Sequence, residues 1–343
     1  MVSRKRGGAS FDLPMSSPNR SCQQEVSTMN TTIALFTYVT KADINGQYGA
    51  SMATQRCYAQ RMNYTHLVVI DEDSIVTTHC NHSKHLLFRK HCAVRATLQS
   101  RRDLQYLFVL DADTGVCNPD HCLHEWILDR TVDMQFHETF FLWEYSAGNY
   151  VVKNTAYARE FLRKWVHFHP AKLPTEQSNF DNGALLTLLL DEVYPNRPQY
   201  ARRCNRLWHQ QRYTSYVFCA DRYLRARARS EHFLLLKRAH SWVSERLMTM
   251  NRWDARTFFQ HSWKSEQLFG ASRDGRPWSL RRLPMAAECD ARQRVPWPLK
   301  DELKVDEHGM SAILAVQEQL RQRQLHLPME PDIRECWPRC DAV

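Results

Sequence analysis

Residues 106–113, Tyr-Leu-Phe-Val-Leu-Asp-Ala-Asp, constrain this chain more than any other segment. Five apolar or aromatic residues in a row need an interior on both faces, as a central strand of a parallel sheet has. Two ionised carboxylates cannot follow them into that interior. The chain must therefore surface at the end of the strand, carrying Asp111 and Asp113 into solvent or onto a cation. Two hard oxygen ligands one residue apart suit Mg²⁺ or Mn²⁺, above all an ion shared with a diphosphate. The competing expectation is a turn in which one aspartate caps the next helix.

The segments before it set the fold class. Ile33–Val39 is a continuous apolar, β-rich run, Asn45-Gly46 marks a turn, and residues 47–62 carry helix formers. His66–Ile70 is a second buried run, ending in Asp71-Glu-Asp73, and residues 84–101 predict a second helix. Strand, helix, strand, helix, strand with both strand faces apolar is an α/β pattern with a mostly parallel central sheet flanked by helices. Ligands gather at the carboxyl ends of such strands, which turns attention to Thr37, Tyr38 and Thr40 as well as to Asp71, Asp73, Asp111 and Asp113. No glycine-rich turn follows the first strand, which argues against a dinucleotide-binding fold and a P-loop. Further on, Asn118-Pro-Asp120 predicts a helix through Ile127, Val132–Phe136 and Tyr150–Val152 predict strands, and Thr155 predicts the cap of a helix to His167. A helix is expected from Asp181-Asn-Gly through Leu190, and beyond residue 200 the pattern weakens. Residues 1–30, rich in Ser, Arg and Asn, read as a disordered segment or linker. Residues 271–343 hold seven of the fourteen prolines and predict a loosely structured, Pro/Arg-rich extension, leaving 31–270 as the main domain.

The chain has 343 residues, enough to bury a large core without staples. Its net charge of +9 is concentrated between Arg197 and Arg246, where twelve Lys/Arg face three acids. Such a stretch is a solvated basic face or a surface for an anion. Eleven cysteines without any Cys-x-x-Cys pair favour disulfides in an oxidising compartment over zinc. The sequons at Asn19, Asn30, Asn63 and Asn81 point the same way. No secretory leader and no long apolar span is visible, so contact with a membrane is expected only through an anchor that this sequence lacks. The expected location is the Golgi or ER lumen, or outside the cell. Cys336-Trp-Pro-Arg-Cys340 offers a small disulfide loop, two thiols or a metal pair.

With the aspartates placed, the chain resembles the nucleotide-diphospho-sugar transferases of GT-A fold, and within them an uncharacterised family described mainly from nematodes. The matching segments are Tyr106–Val116 with Asn118-Pro119, His137–Phe141 with Trp143-Glu144, Ala147–Asn154, Phe161–Trp165, Asp181–Ala184 and His261-Ser-Trp-Lys264. The family is also similar, distantly, to retaining galactosyl- and xylosyltransferases. The resemblance implies a GT-A-like fold with a less regular C-terminal region. It also implies a metal-dependent hexosyl- or pentosyltransferase using a nucleotide-diphospho-sugar, such as a UDP-sugar, with a glycan or glycoprotein as acceptor. Asp111 and Asp113 match the Asp-x-Asp pair that holds Mn²⁺ (or Mg²⁺) against the donor diphosphate. His261 matches a late histidine that completes the metal site, Lys264 a lysine on the diphosphate, and Asp181 an acid near the reacting sugar. The spacing His-x-x-Lys is shorter here than in some relatives.

From the residues alone, Glu138, Glu144 and Asp181 are the candidates for acid–base work or for stabilising an oxocarbenium-like state. Thr37 and Tyr38 are candidates for donor binding. The aromatic group Phe140, Phe141 and Trp143 would grip a sugar or simply fill the core, Asn149 would be a turn residue or a hydroxyl partner, and His261 by itself is an ordinary histidine. Two other functions remain open. The run Leu110–Asp113 also resembles the nucleophile strand of haloacid-dehalogenase-type phosphatases, although Gly115 stands where they carry threonine and the strand is third in the chain. An inactive relative that binds polyanions through the basic stretch is the other; no nucleic-acid motif accompanies the charge, and no nucleic-acid partner is expected.

Overall fold

The three predicted strands form the half of one sheet that carries the aspartates. In the computed structural model, described here for residues 31–83, 85–139, 143–168, 180–210, 212–264, 279–290, 292–293 and 295–324, β1 (Ile33–Val39) lies between β2 (Thr65–Ile70) and β3 (Tyr106–Asp111), parallel to both. Every residue of β1, and Tyr106–Leu110 of β3, is buried, as their unbroken apolar runs require. The helices expected between them are α1 (Gly49–Met62), a short α2 (Ser74–His79) and α3 (Leu86–Ser100).

Beyond β3 the sheet continues through β6 (Tyr150–Lys153), β5 (Met134–His137) and β7 (Phe233–Leu236), giving the order β2-β1-β3-β6-β5-β7. Only β6 runs against the others. Buried side chains cover both faces. One layer joins Phe36, Leu107, Val109, Trp165 and Leu189, and the other joins Leu35, Phe108, Leu110, Trp242 and Phe259. Helices α4 (Ala156–Val166), α5 (Phe180–Val193), α6 (Gln199–His209) and α7 (Tyr213–Arg225) complete the first layer. Thr155 caps α4 as its sequence predicts, accepting from the Ala158 N–H at 3.1 Å.

A second, three-stranded sheet positions the site. β4 (Gly115–Val116) follows the aspartates directly and pairs with β9 (Phe259–His261), which pairs with β8 (Val243–Glu245). Gly115 is required here, because a Cβ would fall 1.9 Å from the Trp263 ring.

Three expectations are corrected. Residues 118–127 do not form an α-helix; only a 3₁₀ turn spans Leu123–Trp126. The N–H groups of Cys117 and Asn118 are taken by the Phe258 carbonyl, and Asn118 Oδ1 accepts from the Asp120 N–H, so the segment's hydrogen bonds leave no helical ladder. The basic stretch is not a single solvated face. Arg238 and Arg246 are buried, and Arg225 pairs with Asp221 and Glu138. Nor is the C-terminal region loose where it is described. Cys289 of α8 (Ala286–Cys289) is disulfide-bonded to Cys57 of α1, Trp297 donates to the Val116 carbonyl at 3.2 Å, and Glu318 of α9 (Glu307–Gln324) binds Arg238 through both carboxylate oxygens. The proline-rich composition hid three tertiary anchors that have no local signature.

Disulfides Cys57–Cys289, Cys80–Cys92 and Cys204–Cys219 are present among the described residues, which fits a secreted or lumenal protein. Asn63 and Asn81 are exposed. The segment 1–30 with its two sequons, Phe140 and Phe141, and the Cys336–Cys340 pair lie outside the described residues. No helix among those described is long and apolar enough to cross a membrane.

Candidate functional site

At the carboxyl end of β3 the chain turns sharply, and the Thr114 N–H returns to the Asp111 carbonyl at 2.9 Å. Side chains from three elements hold this turn. Gln55 of α1 donates to the Thr114 carbonyl at 2.6 Å and itself accepts from the Thr37 hydroxyl at 2.7 Å. Asn149 Oδ1 accepts from both the Asp111 N–H and the Thr114 hydroxyl. Gly148 lies against the Asp111 carboxylate, where a Cβ would meet Oδ2 at 1.9 Å.

The small sheet brings the third member. Glu245 and His261 are register partners on β8 and β9. His261 Nε2 lies 3.2 Å from Asp113 Oδ1 and 3.6 Å from Asp111 Oδ2, while Nδ1 faces Glu245 at 3.2 Å. One ligand atom from each of Asp111, Asp113 and His261 falls within 4.8 Å of the others. Two carboxylate oxygens and an imidazole nitrogen suit Mn²⁺, and Mg²⁺ less well. Burial alone would lower the pKa of His261, but Asp113 and Glu245 outweigh it and push it well above the usual histidine value. The same negative cluster that retains a proton on His261 is suited to hold a divalent cation. A carboxylate on the far ring nitrogen fixes the tautomer and orients the ring in histidine–metal sites. Glu245→Ala is therefore expected to weaken Mn²⁺ binding about 10–100-fold, with partial recovery in Glu245→Gln, as read by calorimetric titration. Gly148→Ala must displace the Asp111 carboxylate, and the same titration should show at least a roughly tenfold loss. Unchanged affinity in either variant contradicts the assignment.

On the other side of Asp111 lies a buried amine. Lys90, in the middle of α3, reaches Asp111 Oδ1 at 3.0 Å and Asp181 Oδ2 at 3.7 Å. His91 Nε2 lies 3.3 Å from the same Asp181 oxygen, and its ring stacks on Trp165. Burial raises the pKa of Asp181, but Lys90 and His91 prevail and hold it below the usual carboxylate range. Burial likewise raises that of Asp113, against which His261 and the nearby Lys264 ammonium pull it down. Asp181 is thus an ionised, buried carboxylate tied to the Asp111 side of the cluster through Lys90.

The remaining candidates are placed differently. Thr37 is fully buried with its hydroxyl committed to Gln55, so it braces the turn and cannot touch a ligand. Tyr38 pairs in register with Asp111, and its buried hydroxyl has no hydrogen-bond partner among the described residues. Glu138 lies in an internal network, accepting from Arg238 Nη1 at 2.6 Å and Arg225 Nη2 at 2.7 Å. A carboxylate locked by two guanidinium groups is a structural anion and not an acid–base group. Glu144 is buried and accepts from Asn182 Nδ2 at 2.7 Å, while Asn182 Oδ1 accepts from the Ala147 N–H. It therefore supports the 147–149 segment beneath Asp111 rather than meeting a substrate. Trp143 is wholly buried, with its indole N–H donated to Glu318.

Lys90 and Glu245 escape sequence reading. Lys90 lies inside a helix without a motif, and Glu245 is marked only by its register with His261.

A family model described as "Protein of unknown function, DUF273" matches residues 55–275. No curated protein matches the chain. Among solved structures, the chain is similar to a glycosyltransferase involved in the glycosylation of the major capsid of PBCV-1. That likeness has a TM-score of 0.40 and 9% identity, over 67% of this chain and 93% of the other.

Proposed function

The chain belongs to the DUF273 family of proteins of unknown function, and we propose that it is a metal-dependent glycosyltransferase. It would move a hexose or pentose from a nucleotide-diphospho-sugar, a UDP-sugar in the simplest case, to a glycan or glycoconjugate with retention at the anomeric carbon. The proposed catalytic unit spans 31–270, with 279–324 packed onto it. The observation that carries this reading is the convergence of Asp111, Asp113 and His261 at the carboxyl end of a central strand. A parallel sheet binds its ligands at that edge.

Asp111 and Asp113 through oxygen and His261 through Nε2 would hold Mn²⁺. A divalent ion there supplies positive charge to a diphosphate that gains negative charge as it leaves. Lys264, whose charge already acts on Asp113, adds a fixed cation for the same leaving group. Tyr38, beside Asp111 with an unpartnered hydroxyl, would contribute to binding the donor. Asp181, kept ionised by Lys90 and His91, provides the anion that stabilises positive charge on the sugar ring. In the transfer, the acceptor oxygen bonds to the anomeric carbon. The bond from that carbon to the diphosphate oxygen breaks with its electrons remaining on the diphosphate, and the acceptor hydroxyl proton leaves with the diphosphate.

The test is a panel of UDP- and GDP-sugars incubated with folded, disulfide-bonded protein. At least one should be hydrolysed with Mn²⁺ and not with a chelator. Silence across the panel, or release of phosphate from a generic phosphoester instead, removes this reading.

A further inference from the structure

A second candidate site adjoins the Asp111–Asp113–His261 group. A cavity of about 50 Å³ lies at the carboxyl ends of β5 and β7, between the small sheet and α9. On the same measure one water needs roughly 10–15 Å³, so the space takes several waters or a sugar ring. Glu245 is common to both sites. It faces His261 Nδ1 and also lines the cavity.

The walls combine two characters. Phe258, Met310 and Leu314 give an apolar side, and three buried polar atoms lack partners among the described residues. These are His137 Nε2, Asp254 Oδ2 and Trp126 Nε1, on side chains of residues only 2%, 3% and 5% exposed. Burial lowers the pKa of His137 to about 4, so its ring is neutral. A carbonyl oxygen can only accept, so the Nδ1 contact to the Glu138 carbonyl places the proton on Nδ1 and leaves Nε2 as a bare acceptor. Asp254 supplies a second acceptor and the indole of Trp126 a donor. Leaving such atoms unsatisfied inside a protein is unfavourable, and a ligand with hydroxyl groups would satisfy them.

Apart from Asp254, whose Oδ2 has no partner among the described residues, the charges around the cavity are matched within the protein. Glu138 is paired with Arg225 and Arg238, Glu245 with His261, and Arg256 with Glu307. No second group of metal-ligating side chains is found among the described residues. The unpaired Asp254 carboxylate disfavours an anion, and with no second ligand cluster beside it a metal ion would have too few ligands. A neutral ring with one apolar face and hydroxyls that both donate and accept fits better. The backbone around the cavity is strained as well. Ala239, on its wall, has φ 66°, and Met250 and Asn251, next to the lining residue Thr249, have φ 54° and 59°. Non-glycine residues held in that region cluster at ligand sites.

We propose that this cavity binds a pyranose ring of the acceptor, the second substrate of the transfer reaction. The proposal rests on the transferase reading above, and geometry supports it: the donor site lies at the end of β3, the cavity at the ends of β5 and β7, with Glu245 between them. The apolar wall takes the C–H face of the ring, and His137, Asp254 and Trp126 take its hydroxyls.

Ligand-observed NMR with the methyl pyranosides of galactose, glucose, mannose and xylose tests it on full-length protein in a chelator, without any donor. At least one glycoside should bind. Its affinity should fall at least tenfold in Ser241→Trp and in Leu314→Trp, two blocking variants from different segments, each scored only when its thermal unfolding shows it folded. No binding to the wild type, or binding that survives in a folded blocking variant, overturns the proposal. Because the measurement needs neither metal nor donor, its failure is separable from failure of the transferase reading, which a Mn²⁺ titration of the same sample reads independently.

Discussion

Lys90→Met is expected to lower the stability of the folded chain by about 3–5 kcal/mol, the usual consequence of removing one partner from a buried ion pair. The Lys90 side chain is 6% exposed and lies between two carboxylates, at 3.0 Å from Asp111 and 3.7 Å from Asp181. Burial alone would lower its pKa, but the two aspartates overcome this and raise it, so the amine is an ammonium ion throughout the neutral range. Without it, the Asp181 carboxylate keeps His91 at 3.3 Å and the Asn182 N–H at 3.1 Å, and no full counter-charge within 4 Å among the contacts described. In a chain of this size the loss should lower the unfolding midpoint by roughly 4–7 °C. The double variant Lys90→Met/Asp181→Asn should recover part of it, because the uncompensated charge has gone. A single variant as stable as the parent would show that the three groups do not form the buried triad described.

The linkage has a definite sign on each side. Asp181 has a depressed pKa, so its contribution to stability is present above the unfolded aspartate value of about 3.9 and is lost as pH falls through the folded value. Lys90 has a raised pKa, so its contribution is present below about 10.4 and is lost as pH rises through the folded value. Lys90→Met should therefore remove stability across the whole interval between these limits.

Asp113→Asn is the second large effect. Asparagine keeps the size of the side chain and removes the charge, so the Asp113–His261 contact loses its ionic part while the turn at Asp111–Thr114 keeps its own hydrogen bonds. Sugar transfer and Mn²⁺-dependent hydrolysis of the donor should fall at least about 1,000-fold, or roughly 4 kcal/mol of transition-state stabilisation. Stability should fall modestly, because the Asp113 charge is net favourable against His261 and Lys264 and its loss leaves His261 with Glu245 as its nearest counter-charge. Activity reduced only in proportion to a loss of folded protein would remove Asp113 from the site.

The sequence made the donor half of the molecule legible for a physical reason. β1 and β3 are buried on both faces, so their apolar runs mark their positions, and the ionised residues after β3 had to emerge at its carboxyl end. The run at His66–Ile70 reads as a second buried strand, but β2 is the edge of the sheet and only its Val69 is buried. Asp111, Asp113 and His261 converge as their matched motifs imply, although nothing in the spacing of His261 from the aspartates announces a contact. What stayed hidden depends on tertiary partners. Glu138 and Glu144 look like catalytic acids in a sequence because a carboxylate carries no local mark of the guanidinium or amide that engages it. Lys90 looks like any helical lysine until Asp181 folds beside it. The described part of the C-terminal region was misjudged on its prolines, yet Cys289, Trp297 and Glu318 each fix it to a partner distant in sequence.

If Asp111, Asp113 and His261 form a divalent-cation site that retains a nucleotide-sugar, it will be read by titrating Mn²⁺ into the folded wild-type protein and then measuring UDP-sugar binding with and without the metal. One Mn²⁺ per chain is expected, with UDP-sugar binding that requires it and loss of both in Asp113→Asn. Folded protein that binds no Mn²⁺, or that binds the nucleotide-sugar equally well in a chelator, would contradict it.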